Sequence, residues 1–160
     1  MPASPPSTIR LDPAVINGLD LAPLAPWAAL APADRIGFGP CLELEFDWPL
    51  AAEDPRERSE VPELRLWSLR ADAIHPWLPL VLERSGGQLA RHVAMLLPHS
   101  FSRHEGLSFA PGSLDLWITH RLFHLDHWGS RHGISCRGNL EQMAAVLGYE
   151  LDPAFWGRLS

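Results

Sequence analysis

Three histidines in the second half of the chain have a spacing that could bind a metal ion. His120, His124 and His127 stand at i, i+4 and i+7, so on a helix their imidazoles would share one face. A zinc protease also needs a glutamate directly after the first histidine, and Arg121 occupies that position. The bare spacing is a weak metal signal and favours a solvated or packing role. A small metal-dependent enzyme and pH sensing are the alternatives.

A second cluster of reactive side chains lies in the stretch PHSFSRHEG, residues 98–106. A catalytic triad is recognised by geometry across a fold, not by closeness in sequence. The chain has no Gly-x-Ser-x-Gly elbow, and Gly86–Gly87 lacks the spaced glycines and the lysine of a phosphate-binding loop. We therefore interpret the stretch as a loop that caps neighbouring helix ends and assign no catalytic role to His99, Ser100, Ser102, His104 or Glu105.

The composition of the 160 residues is that of a globular protein, with 46% hydrophobic and 20% charged residues. The net charge of −6 argues against nucleic acid as the main partner, because phosphate binding needs an excess of cations. All 13 basic residues are arginine, which forms bidentate pairs with carboxylates. Cys41 and Cys136 belong to no CxxC pair and are predicted to be reduced thiols.

Targeting and membrane signals are weak in this sequence. There is no apolar run of ~18 residues, so we expect no membrane insertion. The start, MPASPPSTIRLDP, has neither an apolar signal core nor the arginine content of a transit peptide. These observations predict a cytoplasmic location in a prokaryote, or a mature form already freed of its targeting segment.

The elements of the first half are predicted from proline positions and apolar alternation. We expect a disordered segment over residues 1–10 and a single domain over 11–160. Asp12–Pro13 has the pattern that begins a short helix, with Gly18 at its end. Residues 42–48 alternate apolar and acidic side chains, which predicts a half-buried strand.

Residues 64–70 are read as a second strand, antiparallel to the first. That pairing would place Arg65 opposite the acidic row Glu43, Glu45 and Asp47. From residue 75 the pattern becomes helical, and we predict helices over 75–83, 88–97 and 111–133, the last of these ended by Gly129 or Gly133. A further helix is capped by Asn139 and runs through Leu147, and a last short helix begins at Asp152–Pro153. Ser85 and Gln88 have capping-box spacing for the helix over 88–97, although a strand over 92–97 is an alternative. The predicted class is α+β, a small antiparallel sheet in the first half packed by helices from the second half.

The most unusual segment is EDPRERSEVPELRLW, residues 53–67, in which Glu53 to Arg65 carry five acids and three arginines. Asp54–Pro55 predicts a type I turn, and Val61 before a proline should be extended. We interpret the segment as an ordered loop held by internal Arg–carboxylate pairs, with a merely solvated loop as the alternative. Trp77, between two prolines, is either a core residue or an exposed interface anchor.

The segment DPRERSEVPELRLW, followed by PWLP (76–79), AMLLPHSFS (94–102) and EG (105–106), resembles the chlororespiratory reduction six family of cyanobacteria and chloroplasts. The resemblance runs from about Leu11 to Leu159. It implies an assembly factor for the hydrophilic arm of the photosynthetic NDH-1 complex, engaging the iron–sulfur I subunit. It also implies no enzymatic activity, no cofactor, and a location in the cyanobacterial cytoplasm or its stromal equivalent.

The resemblance transfers no catalytic or metal-binding residue to this chain. It marks the matched motif positions as interaction or fold-defining residues only. Those expected to contact the partner are Asp54, Arg56, Glu57, Glu60, Glu63, Arg65, Trp67, Trp77 and His99.

Overall fold

The first half of the chain builds a two-stranded parallel sheet. Strand β1 spans Thr8–Leu11 and strand β2 spans Glu43–Phe46. This computed structural model describes residues 4–37 and 41–159. In both strands alternate side chains are buried, as the period of two requires. The expected disorder of residues 1–10 is wrong for residues 8–10, which lie in β1, while residues 1–3 fall outside the described part of the chain.

The described part of the connection between β1 and β2 contains three short α-helices, α1 (Pro13–Asn17), α2 (Ala25–Ala28) and α3 (Pro32–Gly37), and a 3₁₀ helix, Ala22–Leu24. The predicted start of α1 is confirmed, because the Asp12 carboxylate accepts a hydrogen bond from Val15 N at 2.9 Å. A connection of this length brings the chain back to the end at which β1 begins, so β2 can run parallel to β1.

The predicted second strand is wrong, because its residues lie in helix α4, Pro62–Ile74. Pro62 stands at the first helical position, and the buried residues follow helical spacing, including Leu64, Trp67 and Ala71. Leu66, which a strand with Leu64 would also bury, is 56% exposed. A short apolar alternation can arise within a helix by chance, and here the helical period decided the fold.

The second half is mainly helical, as predicted. Its helices are α5 (Leu78–Val81), α6 (Gln88–Leu96), α7 (Ser113–Arg131) and α8 (Arg137–Val146). The strand alternative for residues 92–97 is wrong, since residues 92–96 belong to α6. Ser85 does not cap that helix: its N-cap is Gly87, and the Ser85 hydroxyl bonds to Glu83.

Residues 98–110 form an antiparallel hairpin where a capping loop was expected. Strand β3 (His99–Ser102) pairs with β4 (Gly106–Phe109), and Phe101 stands opposite Leu107. The expected helix after Asp152 is instead a turn followed by a 3₁₀ helix, Trp156–Leu159. The α+β class is confirmed, although its first-half sheet is parallel and its antiparallel pair comes later. None of the helices in residues 4–37 and 41–159 could span a membrane.

Candidate functional site

A groove with a volume of about 620 Å³ lies between β2, α6, the β3–β4 hairpin and the charged segment before α4. We call it the β2 groove, and we call residues 53–60 the charged loop. The volume is within the range of small-molecule and peptide pockets. Its apolar lining consists of Leu44, Phe46, Leu50, Ala94, Met95, Phe101 and Leu107. Its polar lining consists of Glu43, Glu45, Arg56, Glu57, Arg58, Ser59, Gln88, Arg91 and His92.

The charged loop begins with an exposed ion pair. Arg56 Nη2 donates to Asp54 Oδ2 at 2.9 Å, and Arg56 N donates to Asp54 Oδ1 at 3.0 Å. The hydrogen bond from Arg56 lowers the pKa of Asp54, and Asp54 in turn raises the pKa of Arg56. The type I turn predicted over residues 54–57 is wrong in position: the turn lies three residues earlier, over residues 51–54, with Asp54 N donating to Ala51 O at 2.9 Å. The prediction of an internally paired, ordered loop is met here by one ion pair.

The second part of the charged loop is a 3₁₀ turn, Arg58–Glu60, with a capping box at its start. Glu57 N donates to the Glu60 carboxylate at 2.9 Å, so this acid satisfies an otherwise free amide. The Arg58 guanidinium donates to the carbonyl of Phe46 in β2. These contacts fix the loop against the sheet while the side chains of Arg56, Glu57 and Glu60 remain exposed.

Ser59 ties the loop to the hairpin through His99. The Ser59 hydroxyl lies 2.9 Å from His99 Nε2, and His99 Nδ1 lies 3.1 Å from the carbonyl oxygen of Leu97. Because a carbonyl only accepts, Nδ1 of the neutral ring carries the hydrogen, and Nε2 accepts from Ser59. The amide that follows Ser59, that of Glu60, donates to Glu57 O at 2.9 Å and so is not free to stabilise an oxyanion.

Arg65 was predicted to face the acidic row of β2, but in the structure it anchors the charged loop. Its Nη1 donates to Ser59 O at 2.9 Å and to Ala94 O at 3.3 Å, so it joins α4, the loop and α6. Glu63 is exposed in the first turn of α4. The expected position of Arg65 was wrong because it rested on a strand that is in fact a helix.

The two tryptophans among the predicted contact residues are core residues. Trp67 is fully buried, and its Nε1 donates to Asp20 O at 2.8 Å. Trp77 is 4% exposed, and the guanidinium carbon of Arg35 lies 4.6 Å from the centre of its ring. The suggestion that Trp67 and Trp77 contact a partner is therefore wrong for the folded chain, since neither presents its ring at the surface.

A buried polar cluster that the sequence analysis missed lies behind the groove. Asp72 of α4 forms an ion pair with Arg121 of α7, and His92 Nε2 of α6 lies 3.4 Å from Asp72 Oδ1. All three residues are less than 9% exposed. The available signal was position: each occurs on the apolar stripe of its helix, where a polar residue needs a buried partner.

Burial shifts the protonation equilibria of this cluster. Desolvation lowers the pKa of His92 to about 4, so its imidazole is neutral at pH 7. Desolvation also lowers the pKa of Arg121 to about 10, which leaves the guanidinium charged at pH 7. Among the described residues, His92 Nδ1 and Arg121 Nε are buried without a hydrogen-bond partner. The cluster is thus a charged pair with a neutral histidine beside it.

The histidines on α7 lie away from this cluster, on the exposed side of the helix. The rings of His120 and His124 stack in parallel, with centroids 5.6 Å apart and planes 9° apart. Burial and the neighbouring positive groups lower the pKa of His124. Within residues 4–37 and 41–159, no group of three or more histidine, cysteine or acidic side chains is placed to hold a metal ion.

Comparison with known proteins gives one family. A family model described as chlororespiratory reduction 6 matches residues 11–158. No solved structure matches this chain. The matched span includes β2, the charged loop, α6 and the hairpin, so the whole lining of the β2 groove falls within it.

Proposed function

Because this chain belongs to the chlororespiratory reduction 6 family, a family of assembly factors associated with the NDH-1 complex, we propose that it is a chaperone-like binding protein. Its client is a subunit of the hydrophilic arm of photosynthetic NDH-1, the iron–sulfur I subunit. The protein acts in the cytoplasm of a cyanobacterium and without a cofactor of its own. It performs no chemical reaction on the client, which it holds until the arm assembles.

The observation that carries this proposal is the way in which the charged loop is held. Three tethers fix it: Arg58 to β2, Ser59 to His99 of the hairpin, and Arg65 to the loop carbonyl of Ser59. The exposed side chains of Arg56 and Glu60 lie next to these tethers and are held by the Asp54–Arg56 ion pair and by the Glu57/Glu60 capping box. A preorganised charged surface loses less conformational entropy on binding than a flexible one and adds specificity.

The geometry around Ser59 and His99 supports binding more than catalysis. A serine nucleophile needs a base, a group that orients the base, and donors for the developing oxyanion. Ser59 has the base and an orienting carbonyl, but the Glu60 amide is already bonded within the turn. The interaction serves to hold the loop on the hairpin.

Affinity capture from cyanobacterial cells with a tagged copy of the chain tests the proposal. We expect the iron–sulfur I subunit to be recovered, and Arg56→Ala with Glu60→Ala to reduce that recovery without unfolding the chain. The matched control changes two exposed charges outside the groove, Arg131→Ala with Glu150→Ala, and should capture the client as the wild type does.

Two results would contradict the assembly role, and a third would contradict only the contact surface. Failure to recover any hydrophilic-arm subunit would remove the assembly role. Stoichiometric presence of the chain in finished NDH-1 would identify a permanent structural subunit, because an assembly factor leaves the completed complex. If the client is recovered equally by the Arg56/Glu60 variant, the charged loop is not the contact surface.

A further inference from the structure

Among the described residues, no strand pairs with β2 beyond Leu42 on the side away from β1; we call this side the open edge, and it faces the β2 groove. In a parallel ladder, alternate residues direct their main-chain groups to opposite neighbours. Glu43 N donates to Ser7 O at 2.7 Å and Asp47 N donates to Leu11 O at 2.9 Å, so the odd-numbered residues bond toward β1. The main-chain groups of Leu44 and Phe46 therefore point away from β1, toward the groove.

The start of this edge is already paired by another segment. Leu42 forms a parallel bridge with Leu82: Leu42 N donates to Val81 O at 2.8 Å, and Glu83 N donates to Leu42 O at 2.6 Å. Main-chain pairing then stops, because the chain turns into α6 after Glu83. The open part of the edge thus continues a ladder that the protein itself has begun.

Side chains occupy the places where the backbone of a further strand would be. The Gln88 side-chain oxygen accepts from Leu44 N at 3.3 Å, and the Arg58 guanidinium donates to Phe46 O. A bond of 3.3 Å is longer than the usual N–H···O distance. The other two groups on this edge are Leu44 O and Phe46 N. Within the described residues, neither has a hydrogen-bond partner. Two of the four main-chain groups on this edge are thus bonded to side chains and two, Leu44 O and Phe46 N, are not; Leu44 and Phe46 are 2% and 8% exposed, so a strand reaches them only through the groove.

The groove beside this edge offers apolar contacts for an added strand. Phe101 of the hairpin is 51% exposed although it lines the groove, and Ala94 and Met95 form part of the wall on α6. Alternate side chains of an added strand would point toward this apolar lining. The remaining side chains would point outward, next to the outward face of β2.

The outward face of β2 is acidic, and few basic side chains lie near it. Glu43, Glu45 and Asp47 lie on it, and all three are exposed. Arg10 of β1 is their only described ion-pair partner, at 3.7 Å from Glu45 and 4.0 Å from Asp47. Opposite charges on neighbouring strands stabilise a sheet, so an added strand with basic residues outward complements this row.

We propose that the open edge of β2 accepts an extended segment of the client as an added strand, in which apolar residues alternate with arginine or lysine. Main-chain hydrogen bonds with Leu44 O and Phe46 N hold the segment while Arg58 keeps its bond to Phe46 O, and the carboxylates of Glu43 and Glu45 select its basic residues. The identification of the bound segment with an NDH-1 client rests on the proposed function, whereas the binding mode does not.

Synthetic peptides test the binding mode directly. The probes are fluorescein-labelled peptides of about eight residues, one alternating valine with arginine and one alternating valine with glutamate. We expect the Val/Arg peptide to bind at least about tenfold more tightly than the Val/Glu peptide, and Glu43→Lys with Glu45→Lys to reverse that preference. Glu43→Gln with Glu45→Gln should weaken Val/Arg binding if the lysine variant fails to fold, and Glu150→Lys is the matched control outside the groove.

Hydrogen exchange separates strand addition from charge attraction alone. Binding of the Val/Arg peptide should protect the Phe46 amide, for which the described part of the free protein shows no hydrogen-bond partner. A Val/Arg peptide with N-methyl groups on alternate residues of its pairing edge should bind about tenfold more weakly, because it lacks the donors. An unprotected Phe46 amide, or equal binding of the two charge patterns, would overturn the proposal.

The two proposals can fail separately. Capture of the iron–sulfur I subunit that is unaffected by the Glu43/Glu45 variants would leave the assembly role intact and overturn the strand-addition mode. Binding of the Val/Arg peptide with Phe46 protection, but without recovery of any NDH-1 subunit from cells, would support the open edge and contradict the proposed client.

Discussion

The guanidinium of Arg121 on α7 forms an ion pair with the carboxylate of Asp72 on α4, and both side chains are more than nine-tenths buried. The pair joins the helix that follows the charged loop to the longest helix of the second half. Arg121 also lies over Trp117, with its guanidinium carbon 5.3 Å from the ring centre. This contact fixes the packing of α7 on α4 behind the β2 groove.

Removing only one member of this ion pair should cost more stability than removing both members. Arg121→Met leaves a buried, unpaired carboxylate and is expected to lower the free energy of unfolding by about 3–5 kcal/mol. The double variant Arg121→Met with Asp72→Leu removes both charges and should cost less than Arg121→Met alone. Urea unfolding at pH 7 measures both values. Additive costs in the double variant would show that the two side chains do not interact.

Protonation of His92 should destabilise the fold as the pH falls. Its pKa is about 4 in the folded chain and about 6.5 when unfolded, so between these values the unfolded state binds more protons. Stability is therefore complete above about pH 6.5 and falls toward pH 4, by about 2–3 kcal/mol at pH 4.5 from this group. Urea unfolding at pH 7.5 and 4.5 measures the loss.

His92→Gln keeps a polar side chain but removes the titrating group, so it serves as the comparison for that measurement. The variant should lose less stability than the wild type between pH 7.5 and 4.5, although carboxylates titrate in both proteins. An identical pH dependence in the two proteins would mean that His92 is not a buried neutral histidine.

The hydrogen bond between Ser59 and His99 should contribute to stability and hold the loop. Ser59→Ala is expected to lower the free energy of unfolding by about 1 kcal/mol, because it leaves the half-buried His99 Nε2 without its donor. Ser100→Ala, at an exposed hydroxyl in the same hairpin, should change it little. Urea unfolding of both variants provides the comparison, and equal values would contradict the tether.

Gly129 of α7 should not tolerate a side chain. An alanine Cβ there would lie 2.8 Å from Cys136 Sγ and 2.9 Å from Ile134 O, so the α7–α8 connection would have to move. We expect Gly129→Ala to cost about 1–3 kcal/mol. At Gly138 in α8 nothing lies within 4 Å, and Gly138→Ala should stabilise by about 0.5–1 kcal/mol. Thermal unfolding should move the two midpoints in opposite directions, and a shared direction would refute the packing argument.

The histidine face of α7 should not act as a metal centre. The stacked rings of His120 and His124 lie parallel and exposed, so one ion is not enclosed by them. Stoichiometric Zn²⁺ should therefore leave the unfolding midpoint unchanged, and purified protein should contain little metal by elemental analysis. A bound ion lost on His120→Ala with His124→Ala would revive the alternative of a metal-dependent enzyme.

Much of the fold could be predicted where one local pattern dominated. The strand within residues 42–48 and the long helix within residues 111–133 were predicted because many residues repeat one period, and a long repeat rarely arises by chance. The strand predicted over residues 64–70 was wrong because the stretch is short and its apolar positions fit both the strand period of 2 and the helix period of 3.6. Only packing against α6 and α1 decided that Leu64, Trp67 and Ala71, rather than Leu66, face the core.

The candidate site divides in the same way. The sequence by itself indicated an ordered, charged loop over residues 53–60, because the positions of charges and prolines are local, but it predicted neither the capping box of Glu57 and Glu60 nor the place of the turn. Contiguous motifs in the sequence also indicated the family that the chain resembles. Only the tertiary structure decided that this loop closes one side of a groove along β2, because its tethers reach Phe46 and His99, far away in the chain. The same holds for Asp72, His92 and Arg121: each is an isolated polar residue in sequence, and burial on three packed helices makes them partners.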